Sequence, residues 1–133
     1  MNFFIRNKLV NNSEAKLIRG AGVEIDNQII KNKRSNNIIT ISLVARMLKD
    51  KGICEFVQAA RILKKKNIKS RFLLIGDIDK KNPTSIKSSV LKTWHKQKII
   101  EWLGWVKDVK SILLETDILC LPSYREGLPK SLL

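Results

Sequence analysis

Proline and glycine are scarce in this sequence, three and six residues of 133, which excludes a collagen-like or Pro/Gly-rich low-complexity chain. Cysteine is scarcer still. Cys54 and Cys120 are the only two, too few for the disulfide framework of a small secreted domain. Each sits among apolar neighbours, so both are read as buried free thiols in a reducing cytoplasm rather than as a disulfide or a metal pair. Long apolar runs are missing as well. The longest, residues 38–45, is broken by Thr40 and Ser42 and falls short of the roughly 18 residues of a membrane-spanning helix. The opening Met1-Asn-Phe-Phe-Ile-Arg has no basic lead-in followed by a long apolar stretch, so no secretion signal is expected. His95 is the lone histidine. It lies beside Trp94 and Lys96 and reads as a surface residue rather than a base.

What is present is ordinary for a folded domain: 44% apolar and 29% charged residues, in a length that suits one hydrophobic core and not two. The charge is the exception. Twelve carboxylates face 26 lysines and arginines, a net charge of +14. The lysines are spread along the whole chain, which is also rich in isoleucine and asparagine, as A/T-rich codons would produce. Biased composition over a solvated surface is therefore preferred. Attraction to an anionic membrane surface comes second, and nucleic acid is the weakest of the three and is not expected as a partner. The expected location is the cytoplasm, with peripheral contact at the inner face of the cell membrane.

From about residue 37 the chain alternates β-branched runs with helical patterns, which indicates βαβ units and a parallel sheet. The expected strands are Ile38–Ala45, Arg71–Gly76, Ile99–Leu103 and Asp117–Leu121. Each is nearly continuously apolar, as strands covered on both faces are. Between the first two, Ile53, Phe56, Val57, Ala60 and Leu63 mark one stripe of a helix over residues 52–66. Pro83 is expected to open a second helix reaching about His95. Asp108 can cap a third, with Val109, Ile112 and Leu113 facing inward. The fold class is thus α/β, a Rossmann-like doubly wound parallel sheet. Earlier residues suggest a helix over Phe3–Val10, a strand Ala15–Arg19 and a glycine loop over residues 20–26. Residues 27–36 are polar and basic, as a linker between domains would be.

Arg46 follows the first long strand and Lys51-Gly52 opens the next helix. In an open parallel sheet, that places both cations in the crevice beyond the carboxyl ends of the strands. With the free N–H groups of a helix start they could cradle a diphosphate, although two solvated cations in a turn would look the same. A second cluster, Pro122-Ser-Tyr-Arg-Glu-Gly-Leu-Pro129, follows the fourth strand. Glu126 can accept hydrogen bonds from hydroxyls, and Gly127 lets backbone approach a ligand closely. A polar turn is the bland alternative. Trp102 and Trp105 read as packing residues, and Tyr124 as either a sugar-site wall or a loop cover.

Taken together and in order, these stretches resemble the C-terminal domain of glycosyltransferase family 4, which has the GT-B fold. The matching segments are Gly20-Ala-Gly-Val-Glu-Ile-Asp26, Leu43-Val-Ala-Arg-Met-Leu-Lys-Asp-Lys-Gly52, Arg71-Phe-Leu-Leu-Ile-Gly76, Trp102-Leu-Gly-Trp-Val-Lys-Asp-Val109, and Asp117 through Pro129. The resemblance implies that Arg46 and Lys51 contact the diphosphate of a nucleotide-sugar donor, with UDP-sugar the expected kind. It implies that Glu126 meets the donor sugar's hydroxyls, with Gly127, Leu128 and Pro129 beside it. The loop after Gly104 would lie near the nucleobase. The implied reaction is retaining sugar transfer, with no cofactor and no metal, and no residue of this chain is expected to act as catalytic acid or base. Gly76-Asp-Ile-Asp and Asn82-Pro83 look like the branch that builds bacterial surface polysaccharides on lipid carriers.

Ala45 stands where many family members have glycine, and Glu24 where many have aspartate. The family's second glutamate would fall just after Leu133. The expected organisation is therefore residues 1–26 as the tail of an acceptor domain, 27–36 as linker, and 37–133 as an incomplete nucleotide-sugar-binding domain. A lipid-linked or glycan acceptor would be held by a missing N-terminal domain, and the chain alone would be inactive. The outer edge of Asp117–Leu121 would be unpaired and would favour self-association. A non-catalytic nucleotide-sugar or polyanion binding module, or a decayed reading frame, remain the alternatives.

Overall fold

The computed structural model describes residues 2–16, 38–127, 129 and 131. The chain divides into two compact units, one made of Met1–Asp26 with Gly127–Leu133 and the other of Asn27–Glu126.

In the first unit, α1 spans Asn2–Arg6, shorter than the expected Phe3–Val10. The Asn7 side chain donates to the Phe3 carbonyl at 2.8 Å and Lys8 turns left-handed at φ 55°. Together these end the helix, since an asparagine that bonds local backbone competes with the next helical turn. Ala15 and Lys16 belong to no strand. The remainder of the expected strand Ala15–Arg19, the glycine loop 20–26 and the linker 27–36 lie outside the described residues.

The second unit is a four-stranded, all-parallel sheet in the order β3-β2-β1-β4. The strands are β1 Ile39–Val44, β2 Ser70–Ile75, β3 Glu101–Gly104 and β4 Ile118–Leu119. The helices are α2 Ile53–Lys65, α3 Ser88–Lys96 and α4 Val109–Leu113. Successive strand side chains point to opposite faces. Ile41 and Leu43 of β1 and Phe72 and Leu74 of β2 therefore share a core with Ile53, Phe56, Val57 and Ala60 of α2 and Leu91 of α3. Phe56 meets Phe72 edge to face with centroids 5.1 Å apart, a geometry aromatic quadrupoles favour. On the other face, Leu73 and Leu103 share a hollow with Ser111 and Ile112 of α4. Ser42, fully buried, exchanges a 2.7 Å hydrogen bond with the Thr116 hydroxyl. Helices on both faces of a parallel sheet make this a Rossmann-like, doubly wound α/β unit.

Three expectations change. The helix expected from Pro83 begins at Ser88, because residues 82–86 commit their polar groups elsewhere. The Asn82 side chain accepts from the Thr84 N–H and hydroxyl, while Thr84 and Ile86 join the backbone of Lys49 and Met47. Asp108 does cap α4, accepting from the Ser111 N–H at 3.2 Å and from its hydroxyl. These bonds hold its carboxyl below the usual range. Yet Val109, Ile112 and Leu113 are only half-buried, since a five-residue helix presents too short a stripe to seal. Trp102 packs and donates its indole N–H to the Gly76 carbonyl at 3.0 Å, whereas Trp105 is 71% exposed on the turn after β3 and is no core residue. His95 is exposed and accepts from the Trp102 N–H. Both cysteines are free and half-buried, and burial raises the pKa of each thiol.

Candidate functional site

β1 and β4 are neighbours in the sheet but are reached by chain running in opposite directions from β1, with β2 and β3 on the other side. The loops that leave their carboxyl ends meet at the switch point of the strand order, the place where doubly wound sheets bind ligands. The chain lines it from three directions.

After β1, the Ala45 N–H donates to the Ile75 carbonyl and the Met47 N–H to that of Asp77, both at 3.0 Å. Arg46, between them, projects into solvent, and its guanidinium reaches Asp79 Oδ2 at 2.7 Å. Asp79 stands in the loop after β2, which can approach because Gly76 has no side chain. A Cβ there would lie 1.9 Å from the Ala45 carbonyl oxygen, on backbone held at φ +135°.

Residues Lys49–Lys51 then form a 3-10 turn that ends at Gly52, φ +71°. This left-handed conformation is one glycine adopts without strain. It turns Lys51 toward the β4 side, where its ammonium donates to Glu126 Oε1 at 2.6 Å. Both side chains are about three-quarters covered, at 22% and 26% exposure. The Lys51 hydrogen bond, aided by the Ser123 hydroxyl, holds the Glu126 carboxyl below the ordinary carboxylate range. Glu126 is thus a carboxylate at neutral pH.

The loop after β4 is fastened to the 3-10 turn along its length. The Cys120 N–H donates to Ser42, the Tyr124 N–H to the Asp50 carbonyl at 3.0 Å, and the Ser123 hydroxyl to the same carbonyl at 3.1 Å. The Tyr124 hydroxyl donates to Glu55 of α2 at 2.8 Å, and that carboxylate raises the phenol's pKa. Pro122 covers Gly52 so closely that a Cβ on the glycine would meet the proline carbonyl at 2.1 Å. No side chain caps the start of α2. The first-turn N–H groups and positive dipole end of a 13-residue helix are thus left to attract an anion at the crevice.

Of the expected site residues, Arg46, Lys51 and Glu126 all stand at the carboxyl end of the sheet, and Lys51 and Glu126 touch. Gly127 and Pro129 fall in the other compact unit, and Leu128 lies outside the described residues. Sequence reasoning missed three features: Asp79 as the partner of Arg46, Asp50 as the carbonyl that receives the β4 loop, and the Tyr124–Glu55 contact. The quoted Gly76-Asp-Ile-Asp stretch held a signal for the first, since a carboxylate past a strand end faces the cations of its neighbour's loop. No group of three or more His, Cys, Asp or Glu among the described residues could hold a metal ion, and no described helix is long and apolar enough to cross a membrane. A cavity of about 630 Å3 lies at the opposite end of the sheet, beside Lys64 and Lys65 of α2, and belongs to a different surface.

The order of these elements, from β1 through the loop after β4, is that of a known family. The family described as "Glycosyl transferases group 1" matches residues 38–133. The chain belongs to that family. It is 36% identical over 93 residues, 70% of this chain and 23% of the relative, to the N,N'-diacetylbacillosaminyl-diphospho-undecaprenol alpha-1,3-N-acetylgalactosaminyltransferase of Campylobacter jejuni. It is 29% identical over 112 residues, 83% of this chain and 28% of the relative, to the Escherichia coli UDP-Gal:alpha-D-GlcNAc-diphosphoundecaprenol alpha-1,3-galactosyltransferase. Over 107 residues, 78% of this chain and 28% of the relative, it is 26% identical to the Staphylococcus aureus capsular polysaccharide biosynthesis glycosyltransferase CapM. The chain spans about a quarter of the length of these curated relatives.

Proposed function

We propose that this group 1 glycosyltransferase chain supplies the nucleotide-sugar half of a retaining transfer reaction, with a UDP-sugar as donor, in the synthesis of bacterial surface polysaccharide. The observation that supports the reading is the Lys51–Glu126 pair at the β1/β4 switch point, where α2 starts without a side-chain cap, with Arg46 on the loop that leaves β1. In this reading Arg46, Lys51 and the α2 N–H groups receive the diphosphate, and Glu126 accepts hydrogen bonds from the sugar hydroxyls. The cations and the helix end do what a metal does elsewhere, stabilising charge that develops on the leaving diphosphate, so no cofactor and no metal are proposed.

The two ion pairs leave the cations with donors for a diphosphate. Arg46 keeps donors beyond the one given to Asp79, and Lys51 keeps two beyond the one given to Glu126. Each can turn to phosphate without first abandoning its carboxylate. The acceptor is a lipid-linked glycan, as the names of two relatives indicate for those proteins, and no residue of this chain is assigned to it. The 133 residues alone are expected to bind donor without turning it over. A lipid-linked acceptor favours a cytoplasmic location, in peripheral contact with the inner, anionic face of the cell membrane.

A charge-assisted contact contributes roughly 1.5–3 kcal/mol. Arg46→Ala should therefore weaken UDP binding at least about tenfold in calorimetry. Unchanged affinity in a variant that melts like the parent would refute the diphosphate assignment.

A further inference from the structure

The 630 Å3 cavity belongs to none of the loops just described. It is lined by Arg61, Lys64, Lys65, Gln97 and Ile99, at the end of the unit where α2 finishes and β2 and β3 begin. Arg61, Lys64 and Lys65 stand at i, i+3 and i+4 and share one face of the helix. The Lys64 ammonium donates to the carbonyls of Gln97 and Lys98 at 3.4 and 3.3 Å. That tie brings the last turns of α2 and α3 together, one carrying Lys65 and the other Lys96.

Helix C-termini favour a cation or two through the dipole, but this end carries more than that. Lys66 and Lys69 follow α2, exposed. Across α2, β2 and α3 and the loops between them the carboxylates are Glu55 in the first turn of α2 and Asp77 and Asp79 after β2, all toward the other end of the sheet. At this end Glu101, the first residue of β3, pairs with Arg71 of β2. The last turns of α2 and α3 themselves carry no carboxylate beside Arg61, Lys64 and Lys65. Its exposed apolar groups are aliphatic, Ile62 and Ile68 at 52% and 42%. Its rings are withdrawn, Phe56 and Phe72 buried and Trp94 half-buried, so no aromatic platform is offered to a nucleic-acid base. Lysine predominates over the planar, bidentate arginine.

We propose that this end of the α2–α3 layer docks on anionic phospholipid headgroups, with Arg61, Lys64 and Lys65 receiving headgroup phosphate and Ile62 and Ile68 entering the interface beside them. The proposal rests on the reading that the protein works at a membrane, and it assigns the contact to one face. A lysine close to such a surface is worth about fivefold in partitioning, and the effect fades over a Debye length of about 10 Å at 0.1 M salt.

The test is flotation of the full chain with vesicles of phosphatidylcholine, alone or mixed with phosphatidylglycerol. Two charge-matched variants are compared, Arg61→Gln/Lys64→Gln/Lys65→Gln and Lys80→Gln/Lys81→Gln/Lys87→Gln. All six residues are exposed, but Lys64→Gln gives up the bonds to Gln97 and Lys98, so flotation is compared well below the measured melting point of each variant. The parent should float with phosphatidylglycerol and not with phosphatidylcholine alone. The first variant should lose roughly a hundredfold in partitioning, and the second only a few-fold. Equal losses in the two variants, equal flotation with both lipids, or none with either, would overturn the proposal. So would tighter binding of a single-stranded oligonucleotide than of phosphatidylglycerol vesicles. Titration with UDP separates the two readings: retained UDP binding with no contrast between variants refutes the docking face alone, and the reverse pattern refutes the donor site alone.

Discussion

Replacing Gly52 by alanine should disable the candidate site from within the backbone, and Gly104 provides the matched control. Both glycines are left-handed, at φ +71° and +68°. An alanine at either position incurs the same conformational cost, about 1–2 kcal/mol. Each is offset equally by the reduced freedom of the unfolded chain, about 0.4–1 kcal/mol. The surroundings differ. A Cβ at Gly104 meets nothing within 4 Å, while one at Gly52 lies 2.1 Å from the Pro122 carbonyl oxygen and 2.7 Å from Pro122 Cγ. Ordinary contact between carbon atoms begins near 3.5 Å, so the β4 loop must withdraw by about 1 Å or more. The bonds from Ser123 and Tyr124 to the Asp50 carbonyl, at 3.1 and 3.0 Å, do not survive that movement. At about 0.5–1.5 kcal/mol each, their loss makes Gly52→Ala less stable than Gly104→Ala by about 1–3 kcal/mol in urea unfolding. Retreat of the loop also separates Lys51 from Glu126, so UDP binding should fall in Gly52→Ala. Equal stabilities for the two variants would show that the Pro122 contact does not hold the loop.

Phe56→Ala removes the buried ring that meets Phe72 edge to face and should cost about 3–5 kcal/mol in urea unfolding; a loss under about 2 kcal/mol would mean that the α2 face collapses onto the gap. Asp79→Asn removes the carboxylate that shares Arg46, an exposed pair worth no more than about 1 kcal/mol. UDP should then bind up to about fivefold tighter, and weaker binding would mean that Asp79 positions the guanidinium instead of competing for it. The Arg71 hydrogen bond holds the Glu101 carboxyl below its ordinary range. A depressed folded-state pKa gives stability that is complete above the unfolded value of about 4.3 and is lost as pH falls through the folded value. The two side chains are 45% and 43% exposed, which limits the contribution to about 1 kcal/mol. Glu101→Gln should accordingly flatten the acid decline of the urea midpoint, and a decline as steep as the parent's would refute the linkage.

The parts of the fold legible in the sequence were those set by local pattern. β1 and β2 fall within a residue of their apolar runs, and α2 follows its stripe from Ile53 to the lysines at its end. The Asp108 cap needed only a residue type and its distance from Ser111. What escaped was decided by partners distant in sequence. Residues 82–86 look like a helix start, but Met47 and Lys49 take their backbone bonds. Trp105 looks like core, yet β3 ends one residue earlier and the turn carries the ring outward. The sequence shows lysines spread along the whole chain, and only the fold shows that the last turns of α2 and α3 bring Lys64, Lys65 and Lys96 to one end.

The candidate site shows the same division. That Arg46 and Lys51 follow a strand, and that Glu126 follows another, is visible in the sequence. That Lys51 touches Glu126 is not, because 75 residues and two other strands separate them. The contact exists because the chain returns from β3 across the sheet to lay β4 against β1, with Ile41 beside Ile118 and Ser42 beside Leu119. Only two residues of β4 pair, too few to hold a strand by ladder bonds alone. Bonds between Asp117 and Thr40 and between Thr116 and Ser42 before the strand, and from Cys120, Ser123 and Tyr124 onto Ser42 and Asp50 after it, add to the attachment. The contacts that position Glu126 against Lys51 are thus among those that keep β4 in the sheet. A substitution that frees the β4 loop should therefore weaken anion binding and loosen the β4 edge together, even where it touches neither charge.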